Sequence, residues 1–259
     1  MIPDYHTHTY FSDGESSHES YLRNAAAIGI TEIGFTDHFS ILPTKWTTKE
    51  EKIPELKNTI RSLKDTNSLP IEVKFGAEID YIPGKEKEIT RLIQSLPFDY
   101  IIGSVHFLGN WNFDTSADGF EGKDIDEIYE HYFSIMSDAI ETGLYDIIGH
   151  LDLIKKFGYF PEKFPAKPLR NVLKSLQKND TAIELNTSGL NKPCKEMYPS
   201  KEILEACYEY NIPVTLGSDA HNAEEAGQYF DKAIELLKNT GYRKIALFDQ
   251  RKRRFENLI

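Results

Sequence analysis

Seven times along the chain, a short run rich in Ile, Val and Phe gives way to a polar residue and then to an amphipathic stretch. The apolar runs cover 2–5, 33–36, 71–79, 100–105, 146–149, 182–186 and 214–218. Such runs read as strands buried on both faces, and strands that alternate with helices form a parallel sheet covered by those helices. Three stripes stepping by three and four residues mark the clearest helices: Ile53, Leu56, Ile60 and Leu63; Ile125, Ile128, Tyr132, Ile135 and Ala139; Leu169, Val172, Leu173 and Leu176. Gly29, Gly143 and Gly241 fall just past helical stripes, where a left-handed cap costs glycine least. Seven units in 259 residues predict an α/β fold, a distorted seven-stranded TIM-like (β/α)7 barrel, as a single domain over 1–259.

Charge and cysteine content exclude several functions. Thirty Lys and Arg against 41 Asp and Glu leave a net charge of −11, which opposes a broad nucleic-acid footprint. The one basic run, Arg251-Lys252-Arg253-Arg254, reads as solvated surface. Cys194 and Cys207 share no C-x-x-C spacing, so neither a disulfide framework nor a cysteine zinc site is expected. No apolar run is long enough to span a bilayer, and the first residues lack a signal-peptide pattern. The expectation is a soluble cytoplasmic protein without membrane or nucleic-acid partners; a homo-oligomer is compatible with the sequence.

The chemistry gathers where the proposed strands end, the face on which α/β barrels place active sites. His6, His8 and Asp13 follow the first strand, Asp37 and His38 the second, Glu78 and Asp80 the third, and His106 the fourth. His150 and Asp152 follow the fifth, Glu184 and Asn186 the sixth, and Asp219 and His221 the seventh. One such histidine would read as a hydrogen-bonded structural residue. Six imidazoles with several carboxylates at one barrel mouth need divalent cations to offset the cost of burial. Alternation in His6-Thr7-His8 puts both imidazoles on one face, able to bind one ion. His18 and His131 fall inside helical patterns and read as packing or surface residues.

The series His6-Thr7-His8, Asp13, Asp37-His38, Gly76-Ala77-Glu78, Ser104-Val105-His106, Gly149-His150 and Ser218-Asp219-Ala220-His221 resembles the polymerase and histidinol phosphatase (PHP) superfamily of metal-dependent phosphoesterases. The match runs over nearly the whole chain. The resemblance implies three divalent transition-metal ions, zinc, manganese or iron. His6, His8, Glu78 and Asp219 would hold one ion. Glu78 would bridge to a second, held by His106 and His150, and Asp13, His38 and His221 would hold the third. Asp13 stands where some members carry histidine, leaving the metal open. Glu78, Asp219 and His221 are the expected catalytic residues.

Three divalent ions with Asp13, Glu78 and Asp219 would carry roughly +3, nearly balanced by a phosphate monoester dianion and one metal-bound hydroxide attacking phosphorus. The stretches 149–156 and 184–193 look like the histidinol-phosphatase branch, whose arginines at the basic positions are replaced here by Lys192 and by Lys155 or Lys156. Those lysines and Asn186 are the expected substrate contacts. Phe107, Trp111, Phe113 and Tyr81 could wall an imidazole-sized pocket, and 109–123 reads as a loop over the site. The implied reaction is hydrolysis of L-histidinol phosphate to L-histidinol and phosphate, in histidine biosynthesis. The alternatives are a PHP phosphoesterase for a nucleotide or sugar phosphate, a non-catalytic metal-stabilised module, and an amidohydrolase. The last is disfavoured because no proposed strand ends in the lysine that bridges metals there.

Overall fold

A computed structural model describes residues 1–258. Seven strands, β1 (Pro3–Asp4), β2 (Glu32–Phe35), β3 (Glu72–Asp80), β4 (Tyr100–Ser104), β5 (Ile147–Ile148), β6 (Ala182–Asn186) and β7 (Val214–Gly217), pair in chain order, all parallel. The barrel closes between its ends. Tyr5 N donates to Leu216 O at 3.0 Å, and Thr7 bridges Ala220. The first and fifth strands are shorter than the sequence suggests. Past Asp4 the chain turns from strand pairing to presenting His6 and His8.

Helices α1 (His18–Ala27), α2 (Ile53–Thr66), α3 (Glu86–Gln94), α4 (Ile125–Glu141), α5 (Ala166–Asn179) and α6 (Lys201–Glu209) each fill one crossover, and α7 (Phe230–Thr240) follows β7. Their starts carry local signals: Ser17 caps α1 by accepting from Ser20 N, and Asp124 caps α4 by accepting from Glu127 N at 3.2 Å. The predicted stripe of α4 buries Ile128, Tyr132, Ile135 and Ala139, with Met136 beside them. Truncating Met136 to Ala would cost about 2–5 kcal/mol through the cavity left behind. Among the described residues, no helix is long and apolar enough to cross a membrane.

The barrel floor holds an element the sequence reading lacks, a hairpin of β8 (Lys244–Asp249) and β9 (Lys252–Asn257). Phe248 lies against Tyr5 and Tyr100, whose rings stack 4.5 Å apart across the barrel. A Cβ at Gly34 would fall 1.7 Å from the Tyr100 hydroxyl, so only glycine admits that ring. The hairpin also corrects the reading of the basic run as solvated. Arg251 pairs with Asp146, Arg253 with Asp180 at 2.6 Å and Arg254 with Glu32 at 2.7 Å. Only Lys252 of the four is exposed, because the hairpin folds the run onto acidic residues at the strand starts.

Candidate metal centre

All six strand-end histidines meet at the opposite mouth, where His38, His106, His150 and His221 line a cavity of about 340 Å³ and His6 and His8 lie buried behind it. Glu78, at the end of β3 and buried, is the hub. Its Oε2 lies 3.1 Å from His6 Nε2, 3.5 Å from His8 Nε2 and 3.0 Å from His38 Nδ1. Its Oε1 lies 2.9 Å from His150 Nε2 and 3.6 Å from His106 Nε2, and accepts from Ser104 Oγ at 2.5 Å. The two oxygens of one carboxylate therefore face two different sets of imidazoles.

Asp219 sits just past β7 with φ of 53°, a left-handed backbone that costs a non-glycine residue strain. Its Oδ1 lies 3.3 Å from His8 Nε2 and 3.8 Å from His6 Nε2, and its Oδ2 accepts from Ser188 Oγ at 3.1 Å. Asp13 lies 3.6 Å from His38 Nε2 and 3.5 Å from His221 Nε2. Four groups have ligand atoms close enough to share an ion: His6, His8 and Glu78; His6, His150 and Asp219; Glu78, His106 and His150; and His8, Asp13, His38 and His221. All nine residues expected as ligands fall in these groups.

The electrostatics ask for cations. Burial opposes charge on every one of these groups, yet the carboxylates stay ionised. The imidazoles of His38 and His6 hold Glu78 well below the usual range, and those of His6, His8 and His221 do the same for Asp219. Against burial, Glu184, Glu78 and Asp219 raise His6 well above 6.5, Asp80 raises His106 to about 9, and Asp13 and Asp219 raise His221 to about 9. Burial and the neighbouring His38 and His221 push His8 down to about 4, and neither of its ring nitrogens has a hydrogen-bond partner. Fully buried imidazole nitrogens without partners, beside ionised carboxylates, suit a divalent ion with mixed nitrogen and oxygen ligands. Metal binding there would release protons.

Several neighbouring carboxylates brace the site. Glu184 Oε2 lies 2.8 Å from His6 Nδ1, and its Oε1 accepts from His150 N at 2.7 Å. A Cβ at Gly217 would lie 2.4 Å from Glu184 Oε2, so glycine makes room for that contact. Asp80 Oδ1 lies 2.6 Å from His106 Nδ1, and Asp37 accepts from Thr9 N and Ser12 Oγ to shape the loop before Asp13.

The expected substrate contacts divide. Lys156 and Lys192 line the cavity. Lys155 does not; this corrects the sequence reading. Its ammonium is buried and held by Asp152 at 2.8 Å, Glu196 at 2.9 Å and Met197 O at 2.8 Å. Asn186 is also turned away, donating to Glu184 at 2.8 Å and accepting from Ser188 N at 3.0 Å, so it supports the site without lining it. The expected aromatic wall is likewise corrected. Phe113 is buried against Tyr132, Tyr81 is tied to Glu86, and Trp111 packs on Phe120. Phe107 stacks behind Trp46, which itself lines the cavity 4.7 Å from the His38 ring. Trp46 lies in a loop without periodic signal, and Ser188 and Tyr198, also lining residues, carried none either. Loop 109–123 does reach the cavity, through Asn112, Asp114 and Thr115. His18 is buried among aromatic rings and His131 is exposed, both outside the site.

A family model described as PHP domain matches residues 4–188. A protein named probable histidinol-phosphatase from Deinococcus radiodurans is 34% identical over 93% of this chain and 95% of its own. Histidinol-phosphatase from Lactococcus lactis is 28% identical over 95% of this chain and 93% of its own. The crystal structure of the Lactococcus lactis histidinol phosphate phosphatase, complexed with zinc, L-histidinol and phosphate, superposes with a TM-score of 0.84 at 26% identity, covering 98% of each chain.

Proposed function

The chain belongs to the PHP domain family, and on that premise we propose that it hydrolyses L-histidinol phosphate to L-histidinol and inorganic phosphate with divalent metal ions. The observation that carries the reading is Glu78, whose two oxygens face separate imidazole sets and which belongs to two of the four ligand groups. The relatives named histidinol-phosphatase, and the related structure holding zinc, L-histidinol and phosphate, support the substrate.

The residues suit three ions. His6, His8, Glu78 and Asp219 would hold the first, and Glu78 would be shared with a second held by His106 and His150. Asp13, His38 and His221, with His8 close by, would hold the third. Bound there, zinc, manganese or iron would neutralise phosphate charge and lower the pKa of water towards about 7. The chain's own side chains do the rest. Glu184 and Asp80 orient His6 and His106, while Ser188 positions Asp219. Lys156 and Lys192 face the cavity and add positive charge for the phosphate. His221, the most exposed of the six imidazoles, donates Nδ1–H to the Asp219 carbonyl at 3.0 Å, which leaves Nε2 as the atom that would ligate the third ion.

Phosphate release by the metal-loaded protein across a panel of monoesters tests the reading. Histidinol phosphate should give the highest kcat/KM, and a nucleotide or sugar phosphate turned over faster would overturn it.

A further inference from the structure

The proposed substrate brings three chemistries into one cavity: a phosphate dianion, an imidazole ring and an ammonium. The metal groups and two lysines answer the phosphate, and Trp46 offers a ring wall. Among the described residues, the side chains of Asp, Glu, Lys and Arg that line the cavity outside the metal groups are Asp114, Lys156 and Lys192. An ammonium entering there would meet two lysines beside the cation-binding cluster. Asp114 is the only lining carboxylate outside that cluster.

Resting on the histidinol phosphate reading, we propose that Asp114 is the receptor for the substrate's ammonium group and sets selectivity for amino-alcohol phosphates. Local contacts fix its position. Its backbone N–H donates to Asn112 Oδ1 at 2.9 Å, and Lys156 Nζ donates to its backbone O at 3.0 Å and to Oδ1 at 2.6 Å. Oδ2 accepts no hydrogen bond from the described residues. An ionised carboxylate has about four acceptor positions, so a second cation can bind without displacing Lys156. Lys156 then lies between the two opposite charges of one substrate. Its ammonium can face the phosphate while holding the carboxylate that takes the amine. The arrangement explains why a lysine serves here, since one point charge with three donors can divide them between two partners.

The test compares histidinol phosphate with 3-(imidazol-4-yl)propyl phosphate, which lacks only the amine, and with 2-aminopropyl phosphate, which lacks the ring. Asp114→Asn keeps the shape and an acceptor for Lys156 but removes the charge. It should raise KM about tenfold to a hundredfold for both amino substrates, with at least a tenfold smaller change for the amine-free one. Asp114→Glu should restore part of the preference, with metal content unchanged in both variants. Equal losses on all three substrates, or none on any, would overturn the subsite and leave the phosphatase reading standing. Wild-type protein that prefers an unrelated monoester would overturn both.

Discussion

Glu184 Oε2 lies 2.8 Å from Nδ1 of His6, and both residues are fully buried. A ring that donates Nδ1–H to this carboxylate turns the Nε2 lone pair to the cluster beside Glu78 Oε2, 3.1 Å away, where it can ligate a metal ion. The contact fixes both tautomer and orientation. Glu184→Gln should weaken zinc binding by about 10- to 100-fold, read by competition with a chromophoric chelator. Unchanged affinity would contradict the bracing role.

Removing charge at the hub should be more severe. Glu78→Gln keeps the shape but deletes the charge facing two imidazole sets, so kcat/KM should fall by at least about a hundredfold, on the order of 3 kcal/mol in barrier. His131→Asn, exposed on α4, should change little. Equal losses in both variants would show the site to be misplaced.

The lysines should separate by role. Lys192→Ala should raise KM about tenfold with metal content intact, and Lys192→Arg should be tolerated because its fork can hold two phosphate oxygens. Lys155→Met instead strands the buried Asp152 carboxylate and should cost about 3–5 kcal/mol of stability in urea unfolding. A KM effect of Lys155→Met without loss of stability would reverse this assignment.

What the sequence shows depends on how local each signal is. The barrel was legible because strand and helix periods repeat within each unit, and the nine candidate ligands because they cluster at strand ends. The brace on His6 was not, since Glu184 and His6 meet only across the closing seam. Lys155 and Lys156 look alike in sequence; only the fold buries one and turns the other to the cavity. The floor hairpin escaped notice because its turn, Gln250-Arg251, takes two positive φ angles without the usual Asn or Gly.

His18 offers a pH test away from the metal cluster. Its ring lies 4.4 Å from Phe35, neither nitrogen has a partner, and burial pushes its pKa below 6.5. With the folded pKa depressed, the unfolded chain binds the proton more readily. Its contribution to stability is therefore intact above about pH 6.5 and lost as pH falls, by at most about 1.4 kcal/mol per pH unit. His18→Phe should flatten the acid limb of stability measured by urea unfolding; parallel limbs would contradict the assignment.

The central claim is that hydrolysis depends on metal ions held by this cluster, and activity measured against bound metal tests it most directly. Protein stripped by chelator and reloaded stepwise should gain kcat/KM for histidinol phosphate from near zero to a plateau at about two to three ions per chain by elemental analysis. Full activity in protein carrying almost no metal would contradict it.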